Sequence, residues 1–446
     1  KEQNKNKLEE GCFVYELEAD STIPSEYILL MHFIGEIDIR LEEKIKNYLL
    51  SKQNKDGGWP LFHKGDSDIS ASVKAYFALK LSGLDQNHKQ MKLARNLILK
   101  KGGAEESNVF TKISLAIFGQ ISWQSIPYMP IEIIKFPNWF PFNIYKISYW
   151  SRTVLIPLLI IMNKKPLANN PNGIDITELF VNSRHSSSKI KPVKNSKYSK
   201  IFLYLDKVMR ITFPLIFSNK FKKNCSEDIY RWILERLNGE DGLGGIFPAM
   251  VNALIALRID EKKRFEKEIE ICKKSIDNLI VEQKETAYCQ PCVSPIWDTG
   301  WMGHVLLEKG DEDVNGLVDW FLKKEIKIKG DWAINQKKEV IAGGWAFQFN
   351  NDFYPDVDDT ALVGMFLDRY NRKVKKKKIS DCLERTRKWI ISMQSKNGGW
   401  GAFDIDNNKD YLNSIPFADH GALLDPPTVD VSARCLSFLI QQNDER

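Results

Sequence analysis

Apolar residues recur along this chain at three- and four-residue spacing. Ile69, Val73, Tyr76 and Phe77 stand at i, i+4, i+7 and i+8, and Leu254, Leu257 and the run 361–366 keep the same rhythm. That period gathers them on one face of a helix, whereas the alternation expected of half-buried strands is scarce. The pattern therefore predicts helices almost throughout.

Between the helices a punctuation mark repeats. Lys44, Tyr48, Leu49 and Gln53 lead into Gly57-Gly58-Trp59, and Arg385, Trp389, Ile390 and Gln394 lead into Gly398-Gly399-Trp400 with the same offsets. A third copy reads Trp320-Phe321 to Gly330-Asp331-Trp332 with Glu325 at the Gln position. A fourth, decayed copy has Trp232-Ile233, then Leu237 for Gln and Leu243 beside Gly244-Gly245 for Trp. An amide at a helix end, a glycine turn open to positive φ and an indole at the next helix start can tie successive helices together. Repetition of that unit predicts an array of antiparallel helical hairpins.

Three stretches stand apart. Residues 182–200 are rich in Ser and Lys and read as a surface loop, and 372–378 as a solvated basic turn. Segment 201–217 is dominated by Ile, Phe, Leu and Val, and Lys220, Lys222 and Lys223 follow at once. It fits either a core helix or an apolar surface dipping into a bilayer.

Composition bounds these readings. A chain of 446 residues exceeds what one core organises, since cores stop growing near about 250–300 residues, so two domains or a large repeat array are expected. The balance of 64 Lys+Arg against 58 Asp+Glu gives +6, too weak and dispersed to argue for a nucleic-acid partner. Seven scattered Cys point to a reducing compartment rather than a disulfide scaffold. No apolar run reaches the ~20 residues of a membrane span. No apolar signal core opens the chain, and both ends suggest an incomplete reading frame.

The strongest chemical signal is Asp356-Val357-Asp358-Asp359-Thr360, preceded by Gly343-Gly344-Trp345-Ala346-Phe347-Gln348-Phe349 and followed by an apolar helix. Like charges and a dry site both oppose ionisation, so one of the three carboxyls should stay protonated. A protonated Asp facing Trp and Phe rings can act as a Brønsted acid on an alkene, with aromatic faces stabilising the cation formed. Magnesium binding and helix capping are the alternatives.

Those blocks, with Gly399-Trp400-Gly401-Ala402-Phe403-Asp404, Asp425-Pro426-Pro427-Thr428-Val429-Asp430, 294–300 and Glu16-Leu17-Glu18-Ala19-Asp20, make the chain resemble the squalene-hopene cyclases from end to end. The resemblance implies an all-α protein of two α/α barrel domains: residues 1–303 as the first, with a membrane-contacting segment at 201–223, and 304–446 as an incomplete catalytic barrel. It further implies no metal or organic cofactor, peripheral attachment to the cytoplasmic face of the cell membrane, and acid-initiated cyclisation of squalene to pentacyclic hopanoids. Asp358 would donate the proton with Asp356 and Asp359 as its partners. Trp150, Phe347 and Phe403 would line the cavity with cation-stabilising rings, Trp297 and Asp298 would belong to its wall, and Ile246, Phe247 and Pro248 to the region that ends the cascade.

Departures from the family pattern carry expectations of their own. Arg434 stands where the family places the His that hydrogen-bonds the acid; a guanidinium binds carboxylates bidentately and should hold Asp358 ionised. Phe247 replaces a Gln of the family's deprotonating network, Asn252 replaces a nearby aromatic, and Cys289 and Cys292 have no counterpart. The family also continues well past the position of Arg446, so a separate C-terminal polypeptide is expected to complete the barrel. Two other readings stay open: a truncated remnant without catalysis, and another class II terpene cyclase acting on a diphosphate ester.

Overall fold

The computed structural model describes residues 11–182, 190, 197–310, 314–336, 339–418 and 422–443. Most of the predicted loop 182–200, and the opening residues 1–10, lie outside them. In chain order the helices are α1 (Thr22–Ile34), α2 (Ile39–Ser51), α3 (Ile69–Leu81), α4 (Lys89–Lys100), α5 (Val109–Ile117), α6 (Tyr149–Lys164), α7 (Lys197–Ile216) and α8 (Asn219–Glu235). They continue as α9 (Phe247–Arg258), α10 (Glu266–Asp277), α11 (Pro295–Lys309), α12 (Val314–Lys324), α13 (Val357–Val374), α14 (Lys377–Ser392) and α15 (Val429–Asn443). The strands among the described residues form two short antiparallel hairpins, Trp59–Pro60 with Ser67–Asp68 and Ile280–Glu282 with Ala287–Cys289.

Helices alternate between an inner and an outer ring, as an α/α barrel requires. Inner helices such as α3 and α9 are buried on nearly every side, while α2, α4, α10 and α14 bury one stripe and leave the rest to water. In the first domain α1 packs on α3, α3 on α5 and α6 on α9, and the Arg258 guanidinium of α9 donates to the Ile34 carbonyl of α1 at 2.8 Å. In the second domain α11, α13 and α15 are inner and α12 and α14 outer. Glycines let these inner helices approach: a methyl group at Gly300, Gly303 or Gly364 would lie within 2.8 Å of Leu362, Phe366 or Phe438 respectively.

Two large hydrophobic cores follow one another along the chain. Ile296 and Leu306 of α11 pack in the second of them. Cys12 and Phe13 also belong to the second core, and the Phe13 N–H donates to Thr299 Oγ1 at 2.9 Å. The chain's beginning is thus strapped across the second domain.

The repeat has a defined hydrogen-bond signature. Trp59 Nε1 donates to the Leu49 carbonyl and Trp400 Nε1 to that of Ile390, each at 2.7 Å. The same Trp backbone N–H groups donate to Ser72 and Ser432 on the next inner helix, both at 3.0 Å. Gln53 and Gln394 donate to the Gly57 and Gly398 carbonyls at 2.8 Å, where φ of +97° and +89° favours glycine. In the third copy the indole is Trp345, not Trp332: Trp345 Nε1 donates to the Phe321 carbonyl at 2.8 Å and its N–H to Thr360 Oγ1 at 3.0 Å. An inserted loop separates Phe321 from its Trp and hid the match. Trp332 instead packs edge-on against Trp389. In the fourth copy Leu243 is fully buried in the indole's place.

Trp400→Phe removes the indole donor from the Ile390 carbonyl, which keeps only the Met393 N–H at 3.1 Å, and should cost about 1 kcal/mol in urea unfolding. Gln394→Ala, at an exposed hydrogen bond, should cost less than half as much; equal losses would contradict the indole as the principal tie.

Candidate active site

The acidic motif starts α13. Asp356 is its N-cap, with Oδ1 accepting the N–H groups of Asp358 at 2.7 Å and Asp359 at 3.1 Å. Capping, posed above as one alternative, is thus performed by Asp356 Oδ1 and uses neither the Asp358 nor the Asp359 carboxyl. Thr360 serves the repeat through Trp345, and Asp356 N–H donates to the Trp345 carbonyl at 2.7 Å. The motif is thus fixed by the same turn that ties α12 to α13.

Its electrostatics are uneven. Burial, then the charge of Asp358, pushes Asp356 up to about 8, against the pull of its two N–H donors. Burial and the neighbouring carboxylates push Asp359 well above the carboxylate range, and its Oδ1 has no hydrogen-bond partner. Asp358 is half-buried and paired: Arg434 Nε lies 2.5 Å from Oδ1 and Nη2 3.2 Å from Oδ2. The expected two-pronged contact between Arg434 and Asp358 is therefore present. The guanidinium also lies over the Trp297 ring, 5.0 Å from its centroid. Two carboxyls pushed toward the neutral form beside one ion pair keep the cluster's charge low.

The other anticipated residues fall into two further groups. Phe403 meets Trp150 edge-on at 5.8 Å and Tyr149 at 4.4 Å, and Tyr149 meets Tyr354 at 4.2 Å. Trp150 in turn lines a cavity of about 550 Å³, together with Ile246, Pro248 and Asn252 of the first barrel and with Phe417, Ala422 and Leu423 of the second domain. Asp356, Asp358 and Asp359 are not among the residues that line this cavity. Phe347 is half-buried close to Gly244 through its neighbour Gln348, whose Nε2 donates to the Gly244 carbonyl at 3.2 Å. Phe247 points away from the cavity into the first core, fully buried. Asp298 accepts the Tyr15 N–H at 3.0 Å and the Ser294 hydroxyl at 3.1 Å, which makes it the anchor of the N-terminal strap. Cys289 and Cys292 are free thiols that burial pushes upward, Cys292 to about 11, so neither is a thiolate near neutrality. Among the described residues no group of three or more His, Cys, Asp or Glu could hold a metal ion.

Three functional features escaped the sequence reading. Arg152, fully buried, donates through Nη2 to both Asp404 oxygens at 2.8 and 2.7 Å and joins the two domains. Asp425 holds the turn that carries Phe403. Lys74 and Glu26 form a 2.5 Å ion pair on the cavity wall. A lone Arg in the apolar run of α6 was the available signal for the first; the other two need the fold.

With this geometry in view, the relationship to known proteins is direct. Residues 3–285 match the squalene-hopene cyclase N-terminal domain and 293–446 the C-terminal domain. The squalene–hopene cyclase of Bradyrhizobium diazoefficiens is 47% identical over 97% of this chain and 66% of its own length. That of Zymomonas mobilis is 46% identical over 97% and 67%, and that of Alicyclobacillus acidocaldarius 35% over 96% and 68%. The chain spans about two thirds of the length of these relatives. Such matches set it among the terpene cyclases. It belongs to the squalene-hopene cyclase family.

The raised carboxyls make stability depend on pH. An unfolded Asp titrates near ~3.9, so between there and about 8 the native state binds more protons and stability falls as pH rises. Asp359→Asn removes one such group. Its urea midpoint should fall less between pH 5 and pH 8 than that of the parent; an undiminished fall would mean that Asp359 is not protonated in the fold.

Proposed function

We propose that this chain carries the acid-initiated cyclisation of squalene to pentacyclic hopanoids. The supporting observation is the constellation of two buried, upshifted carboxyls beside the Asp358–Arg434–Trp297 stack. A proton stored on Asp356 or Asp359 passes to Asp358 and from its oxygen to a terminal alkene carbon. The O–H bond breaks, a C–H bond forms and a tertiary carbocation results. Successive alkene π pairs then close C–C bonds, and the final cation either loses a proton to water to give hopene or adds water and releases a proton to solvent to give hopanol, which balances the proton spent at the start. Arg434 favours the ionised form of Asp358 and so opposes loading it with the proton, while Trp297, Phe403 and Trp150 offer ring faces to positive charge. No cofactor enters these steps.

A membrane surface is the partner that fits α7. Among the described residues no helix is long and apolar enough to cross a bilayer. Helix α7 turns polar groups inward and apolar ones outward: Asp206 is buried and holds Arg210 at 2.8 Å, whereas Ile211, Leu215 and Ile216 are exposed. Trp139 is 78% exposed beside Phe140. An apolar face flanked by Lys220, Lys222 and Lys223 suits the headgroup boundary of one leaflet, the cytoplasmic one in this reading. The exposed Val429, Leu436 and Ile440 of α15 similarly suit a further helical layer, such as a separate C-terminal polypeptide would supply.

Membranes containing the chain, incubated with squalene and analysed for C30 pentacycles by mass spectrometry, test the reaction. Asp358→Asn should lower turnover at least 100-fold, the scale of general acid catalysis. Arg434→His should raise it by freeing the acid; no gain would defeat the ionisation argument. For the membrane, Leu215→Glu with Ile216→Glu should weaken binding to vesicles containing anionic lipid at least tenfold in flotation assays. Undiminished flotation would remove α7 from the contact.

A further inference from the structure

Resting on the cyclase reading, we infer that Asp425 is a positioning residue that fixes the acidic cluster and the cation-facing rings relative to one another. Its carboxylate is spent entirely on one turn. Oδ1 accepts the Ala402 N–H at 2.9 Å, and Oδ2 accepts those of Phe403 at 2.7 Å and Asp404 at 2.8 Å. Three consecutive N–H groups converging on one buried anion define the backbone of that turn tightly, because each would otherwise lack an acceptor away from water. Asp425 is itself held from the other side, its N–H donating to Asn407 Oδ1 at 3.4 Å while Asn407 Nδ2 reaches Asp404 Oδ2 at 3.2 Å.

The turn so fixed has three outputs. The Ala402 carbonyl accepts the Val357 N–H at 2.8 Å, which seats the first residue of α13 between Asp356 and Asp358. The Phe403 side chain meets Tyr149 and Trp150. Asp404 takes the guanidinium of Arg152, two residues beyond Trp150 on α6, and that guanidinium lies over the rings of Tyr145 and Tyr354 at 5.5 and 5.6 Å. One carboxylate therefore sets where the acid helix begins, where the Phe403 ring lies and how α6 of the first barrel is latched to the second domain. A small displacement of a stabilising ring from a developing cation costs rate and changes which ring closure follows, because orientation is part of the barrier.

Hydrogen exchange on the full chain, resolved by mass spectrometry, tests this without relying on turnover. In the parent, the amides of 402–404 and of Val357 should be strongly protected; exchange at free-loop rates would overturn the inference even if no variant could be made. Asp425→Asn offers one acceptor where three donors converge, and should speed exchange at least tenfold in 402–404 and in 357–360 together. Trp59→Phe, a comparable loss in the first barrel, should leave both segments unchanged, and Asp404→Asn should leave Phe403 and Val357 protected. Acceleration confined to 402–404 would show that the turn does not place α13 and would sink the inference. Where the parent converts squalene, Asp425→Asn should lower kcat at least tenfold with KM within about twofold and shift products toward fewer rings; an unchanged product pattern would also sink it. A parent without turnover speaks against the cyclase reading, and the exchange results still decide the role of Asp425.

Discussion

Everything chemically distinctive here depends on dehydrating carboxylates. Asp356, Asp359, Asp404 and Asp425 are each buried by the fold, and each is pushed upward first by that burial. What separates them is the company they keep. Asp404 faces a guanidinium and Asp425 three N–H groups, which pull back toward the ionised form; Asp359 has an unpartnered oxygen and nothing as strong to oppose its proton. A strongly raised carboxyl and a structural anchor are thus two outcomes of one desolvation cost, decided by donors within hydrogen-bond reach.

The repeat explains how such a cluster is afforded a rigid seat. Each Trp ties a preceding outer helix to the following inner one, and the third tie ends on Thr360 inside the acidic motif itself. The wall that bears the acid is therefore a continuation of the scaffold rather than a loop added to it. Through Asp425 and the Arg152–Asp404 pair the same rigidity reaches across to the first barrel, where Trp150 meets both the ring cluster and the cavity.

Much of the fold was legible in advance. The three-and-four spacing gave the helices because a one-sided apolar stripe has to be buried, and the first two repeats were read correctly because their offsets are uninterrupted. The third was assigned to Trp332 because a loop inserted between Phe321 and Trp345 breaks the spacing while leaving the hydrogen bond intact. Helix α11 differs little in pattern from the inner helices before it; its packing on α13 shows which core it serves. Phe247 lies beside two cavity residues in sequence but faces the opposite way, since successive helical positions diverge by about 100°.

By itself the sequence determined that the chain is helical, that it repeats, that three carboxyls share one dry helix start, and which family it belongs to. All of these are local or periodic properties, set by residue types a few positions apart. Tertiary structure alone decided that Asp404 reaches Arg152 across 252 positions, and that α7 shows its apolar side to the outside. Those facts depend on which surfaces are brought within a few ångströms, and charge, desolvation and hydrogen bonding act only at that range.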